Sequence, residues 1–453
     1  MCLSLLCLFG ASIFTLKITE AVNESTRGEL VWEKTFGGKG YDIANSIQIT
    51  PEGDYIITGV TSPAPASTAG PSEEDIYLLK IDSSGELIWE KNLGGNGPDG
   101  GYSVQMTDDG CYIITGFMGS YEGNLYHIYL GKIDSSGNTL WEKTYFATGW
   151  DFGCSVIQTS DRGYAIAGNT YNYMTENNEV YLVKIDASGN EEWGKIYGGT
   201  DDDYGSCIVQ TNDGGYAIAG TTESFGNGGD VYLVKTDNLG NMEWSKTYGD
   251  IGRDGGCSIV QTSDDGYAIA GLTYPVGKEA ADVYLVKTDS SGNEEWSKTY
   301  GGEGWDEGNC VIQTNDENYV ITGISKSFSK YGDCDAYVIK TDTEGNLLWE
   351  LSVGGTRDDT GKSIRETEND SYVITGSTES SGAGEEDVYL IKIQEKVVTS
   401  DSGATEPVQQ QETQTSTPQE GIPGFPLFSV IFGLTILIFL SLTTNIIISL
   451  RRN

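Results

Sequence analysis

The stretch CSIVQTSDDGYAIAG (257–271), followed after a variable loop by DVYLVKTDSSGNEEWSKTYGG (282–302), decides the fold. It contains four strand-like runs: SIVQT, YAIAG, VYLVKT and EEWSKTY. Each is short and rich in β-branched and aromatic residues. Asp-Asp-Gly and Ser-Ser-Gly-Asn separate them, and both are strong turn formers. Four strands in about 52 residues make one small antiparallel sheet with two apolar faces. Such a sheet cannot stand alone and must stack on copies of itself.

The copies are present. Tryptophan recurs at Trp32, Trp89, Trp141, Trp193, Trp244, Trp296 and Trp349. The YAIAG-like run begins at Tyr55, Tyr112, Tyr164, Tyr216, Tyr267, Tyr319 and Tyr372. The third run ends at Lys80, Lys132, Lys184, Lys235, Lys287, Lys340 and Lys392. The tryptophan run is out of phase: one copy, ELVWEKTF, precedes the first complete unit and none follows the last. The spacing therefore predicts an all-β, seven-bladed propeller of four-stranded antiparallel blades over 30–393. The N-terminal strand completes the seventh blade, and closing the ring removes free sheet edges.

The unit resembles the SBBP type of seven-bladed propeller repeat found in exported bacterial and archaeal proteins. The matching residues are the Tyr-Gly-Gly, the Asp-x-x-Gly before the first strand, the Asp-Gly-Gly-Tyr hairpin and the DVYLVK-TD-xx-GN run. The resemblance implies that SIVQT is innermost and the tryptophan strand outermost. It says little of function, because propellers host many.

The termini predict export and anchoring. Residues 1–21 (MCLSLLCLFGASIFTLKITEA) read as a signal peptide. Residues 394–422 are dominated by Ser, Thr, Gln and Pro and read as a disordered stalk. Residues 425–450 are nearly all apolar and long enough for a transmembrane helix. Residues 451–453, with Arg451 and Arg452, form a cytoplasmic tail by the positive-inside rule. The Pro423-Gly424-Phe425 triplet, apolar span and basic end resemble the PGF-type sorting signal of archaeal surface proteins. That resemblance implies an archaeal cell surface and exchange of the span for a lipid. Asn23-Glu24-Ser25 and Asn369-Asp370-Ser371 are N-glycosylation sequons at Asn23 and Asn369.

Composition narrows the chemistry. Sixty-seven acidic against 27 basic residues give a net charge of −40, which argues against a nucleic-acid partner. The single histidine, His127, excludes multi-histidine zinc sites and reads as a loop-edge residue. The third-run lysines read as structural, their stems on apolar neighbours and their heads on acceptors. The aspartates two residues beyond, Asp82 to Asp342, open turns.

Eight residues before each inner-strand end stands an aspartate without exception: Asp42, Asp99, Asp151, Asp203, Asp254, Asp306 and Asp359. Propeller geometry predicts that they ring the central channel. Two readings are open. Each fixes its own glycine-rich loop, or they bind cations such as calcium, with help from neighbours such as Asp202 and Asp358. The loops between second and third strands differ in every blade and share that face. Tyr171, Tyr173, Phe225, Tyr274, Phe328 and Tyr331 offer aromatic surface there for sugars, or pack on the loops themselves.

Cys154 and Cys257 lie five residues before the inner-strand end, Cys207 and Cys310 four before it. If these neighbouring positions face opposite ways, Cys154–Cys207 and Cys257–Cys310 can bridge; the other orientation permits Cys207–Cys257. The alternative is small buried thiols in place of serine. For function, the sequence supports a surface adhesion or scaffold protein with a glycan or protein ligand. A carboxylate-dependent glycan lyase or glycosidase and a purely structural envelope component are the alternatives. No repeat-breaking cluster is evident in the sequence.

Overall fold

The computed structural model describes residues 25–63, 74–120, 125–275, 277–368 and 370–398. Among them, 28 strands form seven four-stranded antiparallel sheets. Blade 1 runs outward from the axis as Asp42–Ile49, Tyr55–Thr61, Asp75–Ile81 and Leu87–Leu93. Blades 2–6 repeat that order, with inner strands starting at Asp99, Asp151, Asp203, Asp254 and Asp306. Inner strands of successive blades lie against one another, including blade 7 against blade 1, so the ring is closed.

Closure uses both ends of the propeller. Ser25–Phe36 pairs antiparallel with Asp387–Val398 as the outer strand of blade 7, outside Ser371–Thr378 and Ser363–Thr367. The pairing extends past the predicted limits of 30 and 393, with Ser25 opposite Val398. Lys396 and Arg27 flank Glu29 in an ion-paired cluster at this seam. Segments 1–21 and 425–453, the stalk beyond Val398, and both sequons' asparagines lie outside the described residues. No helix of the described residues is long and apolar enough to cross a membrane.

The blades are glued by the repeat residues. Each second strand is almost wholly buried, as in Tyr216–Thr222. Tryptophan on the outer strand reaches the next blade's tyrosine: the Trp141 and Tyr164 rings are 5.9 Å apart, and Trp244 and Tyr267 6.2 Å. Tyr197 and Tyr248 donate hydroxyl bonds to the turn carbonyls of Gly240 and Gly292 one blade on (2.7 and 2.8 Å). Burying such rings is the main stabilising term of a propeller interface, about 1.5–3 kcal/mol for each large apolar side chain.

The third-strand lysines behave as the pattern predicts. Lys287 is buried, yet its ammonium donates to Asp264 (2.8 Å), Glu295 (2.8 Å) and the Thr288 carbonyl (2.9 Å). Lys235 repeats this with Asp213 and Glu243. Burial alone would raise Asp264, but bonds from Lys287, Thr262 and the Gly266 N–H outweigh it and hold the carboxyl near about 2. In blade 6 the strand position that should supply the glutamate is Leu348, and Glu395 from the closing seam takes its place at 2.6 Å. Lysines two residues after tryptophan lie along the next blade's turn glycine, as Lys246 does at Gly292. At that position Leu351 faces blade 7, whose third and outer strands come from distant parts of the sequence and are not joined by the turn that the others have. There the leucine packs into the apolar cluster of Tyr372, Ile391 and Ile393.

Every complete inner strand carries a bulge, at Ala44/Ser46 in blade 1 and Gly153/Ser155 in blade 3. The cause is a glycine on the facing strand. A Cβ at Gly168 would lie 1.8 Å from the Phe152 carbonyl oxygen, so only glycine admits the bulged backbone.

Candidate functional site

Inner strands begin, second strands end and third strands begin on one rim of the ring: Asp42 pairs with Thr61, and Thr61 with Asp75. The seven aspartates stand on this rim, but they do not line an open channel. All are 0–1% exposed. Each accepts a backbone N–H from the residue four before it, at 2.5–3.2 Å, the donors running from Gly38 to Gly355. Ser224, Ser327 and Ser380 add hydroxyl bonds to Asp203, Asp306 and Asp359. Burial pushes Asp99 and Asp151 up to about 6 against these bonds. The geometry fits the loop-fixing reading. No group of three or more Asp, Glu, His or Cys is arranged to hold a metal among the described residues.

The cysteine pairs do not form: Cys154, Cys207, Cys257 and Cys310 are free thiols. The bulge explains it. Asn45 donates forward to the Gly101 carbonyl, and neighbouring Ser46 accepts forward from the Val104 N–H. Positions five and four before the strand end thus face the same way, toward the next blade, and where position four meets its counterpart, Ser155 donating to Cys207 (3.9 Å), a serine stands opposite the thiol. Cys207 fills a serine's role, accepting from the Ile259 N–H of blade 5. Burial pushes the Cys154 thiol up to about 12.

His127 is within a strand, opposite Met118, not at a loop edge. Its ring packs on Phe146 with centroids 5.4 Å apart.

Residues flanking the invariant aspartates break the symmetry. In blades 2 and 3, Tyr102, Phe117, Tyr126, Trp150, Phe152, Tyr171 and Tyr173 form one chain of ring contacts at 5.3–6.1 Å. Tyr126 and Phe152 are stacked, and the other contacts are tilted or edge-on. All but Phe117 keep part of their surface open, and Tyr173 is half exposed. Polar groups continue the arc into blade 4, where Asn178 donates to Asp202 (2.7 and 2.9 Å) and the Tyr204 hydroxyl (3.1 Å).

Blades 6, 7 and 1 carry charged groups on the rim, blade 1 next to the aromatic arc. Glu307 is 1% exposed, and its Oε2 accepts no hydrogen bond. Burial raises its carboxyl, opposed by the Lys362 charge and a bond from Trp305. Burial likewise pushes Glu386 up to about 7, against a Ser377 bond and Lys362. In blade 1 the Tyr41 hydroxyl donates to Glu74, whose carboxyl burial also raises. Where Glu307 stands, other blades carry Ile43, Gly100, Phe152, Tyr204, Gly255 and Thr360. This variation beside an invariant aspartate was the signal available in the sequence.

Of the six loop aromatics expected to bind, Tyr171 and Tyr173 belong to the arc. Tyr274 packs edge-on against Trp305 (5.5 Å). Phe225 and Phe328 lie on Tyr232 and Tyr337 of their own blades, at 5.6 and 5.4 Å, and so serve loop packing. Tyr331 is half exposed, with the Lys330 ammonium 5.1 Å from its ring centre.

No family model matches the chain. The regulatory protein FlaEY of Caulobacter vibrioides is 26% identical over 222 residues, spanning 42% of this chain and 23% of that protein. This chain thus covers less than a quarter of that relative. The WD40 domain of Pan2 from Neurospora crassa aligns over 80% of this chain and 95% of its own, with TM-score 0.49 and 9% identity. A protein of unknown function from Dyadobacter fermentans aligns over 81% and 99%, with TM-score 0.48 and 11% identity. The polysaccharide lyase Uly1 aligns over 79% and 90%, with TM-score 0.49 and 11% identity. These similarities are of architecture; the seven blades rest on the strand order itself.

Proposed function

We propose that the chain is a cell-surface binding propeller that takes carbohydrate on the channel rim. The observation that carries this reading is the aromatic arc of blades 2 and 3. Partly open rings stack on the C–H faces of sugars, and adjoining carboxylates and amides bond their hydroxyls. A seven-fold scaffold has no packing need for seven rings in two blades only, so the departure marks use. The leader-like residues 1–21 and the apolar segment 425–450 support placement at the cell surface, with the rim outward. The test is titration of the full chain with a panel of acidic and neutral oligosaccharides, read by tryptophan fluorescence and calorimetry. Saturable binding that weakens at least tenfold in Trp150→Ala supports the reading, and binding unchanged in that variant refutes it.

Glu386 favours a second reading, glycan cleavage. A carboxyl held near about 7 suits a general acid at neutral pH. New reducing ends or unsaturated products from a bound glycan, lost in Glu386→Gln, would decide for it.

A further inference from the structure

Outer strands end at a residue that faces two carboxylates. Five blades share one arrangement: Gly37 between Asp387 and Asp42, Gly94 between Asp75 and Asp99, Gly249 between Asp230 and Asp254, Gly301 between Asp282 and Asp306, and Gly354 between Asp335 and Asp359. The two exceptions are informative. In blade 2 the third-strand acid is His127, and the glycine has become Phe146, packed on it. In blade 3 the acid is Glu179, and only Asp203 closes on Gly198. Thus the glycine is lost together with the acid in blade 2, whereas blade 3 keeps Gly198 without a second carboxylate on it.

In blade 6 the pair is deeply buried, Asp335 at 4% exposure and Asp359 at 0%. A Cβ on Gly354 would lie 2.3 Å from Asp335 Oδ1 and 2.7 Å from Asp359 Oδ2. That bounds the oxygens at about 5 Å apart, where like charges in a buried site repel strongly unless a cation stands near. Asp335 Oδ1, the oxygen turned to Gly354, is buried and accepts no hydrogen bond, and neither does Asp359 Oδ1. Hydroxyls surround them: Ser352 bonds Asp335 Oδ2 (3.3 Å), Ser380 bonds Asp359 Oδ2 (2.8 Å), and Ser329 and Thr378 lie close by. Among the described residues, no lysine or arginine forms an ion pair with either acid.

Blade 5 shows what the pair lacks. There the Lys278 ammonium sits 2.8 Å from Asp282 Oδ2 and 3.3 Å from the Gly302 carbonyl. That ammonium bonds Asp282 on Oδ2, with Asp306 a nearby charge, and leaves Asp282 Oδ1, the oxygen turned to Gly301, without a hydrogen bond.

We propose that Asp335 and Asp359 bind a hard divalent cation of the calcium class, which offsets their charge as the Lys278 ammonium offsets that of the blade 5 pair. The carboxylates and the hydroxyls that bond them are all oxygen donors, which suits calcium. With two carboxylates, and the remaining ligands hydroxyls, carbonyls or water, the affinity belongs to the weak extracellular range, a Kd of about 0.1–1 mM.

The test is equilibrium dialysis of radioactive calcium with the full chain, beside thermal unfolding in chelator and in 10 mM calcium. The wild type should bind calcium with that affinity and melt several degrees higher in its presence. Asp335→Asn should lose one site. Tyr331→Lys carries an ammonium four residues before Asp335, as Lys278 stands four before Asp282. It should lose the same site yet melt in chelator as the wild type does in calcium. A wild type that binds no calcium at 10 mM overturns the proposal. So does a stoichiometry unchanged in both variants. Higher stability of Asp335→Asn without any calcium dependence would assign a shared proton to the pair instead, and would equally overturn it.

Discussion

Lys287 offers a test of how the blades are held, because its charge and its partners' charges are buried to different degrees. The lysine side chain is 4% exposed, whereas those of Asp264 and Glu295 are 57% and 46% exposed. In Lys287→Met the apolar stem is kept and the two carboxylates turn to water. The loss is then three bonds to half-solvated or carbonyl acceptors, about 1–2 kcal/mol after solvent screening. The reverse change, Asp264→Asn with Glu295→Gln, leaves a buried ammonium without an anion, which costs about 3–5 kcal/mol. Urea unfolding followed by tryptophan fluorescence should therefore show the double acid variant well below the lysine variant. Equal losses, or the opposite order, would refute the claim that the burial of the ammonium dominates.

Three further outcomes are expected. Glu386 is raised in the folded chain from its ordinary 4.5 to about 7. Its contribution is therefore complete below pH 4.5 and is lost as pH rises through about 7. Glu386→Gln should flatten stability across that window and gain up to about 3 kcal/mol at pH 8, as measured by chemical unfolding at several pH values. Cys207→Ser should change stability by no more than about 0.5 kcal/mol, because serine already makes the same forward bond in blades 1, 2, 5 and 7. Alkylation of the unfolded, unreduced chain should label Cys154, Cys207, Cys257 and Cys310, and a disulfide-linked peptide in the mass spectrum would contradict the free thiols.

The ring was legible because its parts repeat. Seven tryptophans, seven tyrosines and seven lysines mark strands that have to pack on copies of themselves, and the displaced ELVWEKTF run marks the closure. The roles of Lys287 and of the turn aspartates were legible for the same reason. What was not legible was set by the bulge. Strict alternation turns Asn45 and Ser46 to opposite sides, but the Gly59 contact lets in an extra residue and turns both forward. The rim was missed for a different reason. Trp150, Phe152 and Glu307 stand beside the invariant aspartates, Glu386 stands beside the third-strand Asp387, and all differ from blade to blade, so the repeat pattern hides them. Only the three-dimensional ring gathers residues 102–173 into one aromatic surface.

The most direct test of the account is a calorimetric titration of the full chain and of a Trp150→Ala, Tyr171→Ala variant with the best-binding oligosaccharide of the panel. Saturable binding by the wild type and at least a tenfold loss in the variant are expected, with the melting temperatures of the two unchanged. Binding of equal strength in both, at equal stability, would contradict it and remove the aromatic arc as the binding surface.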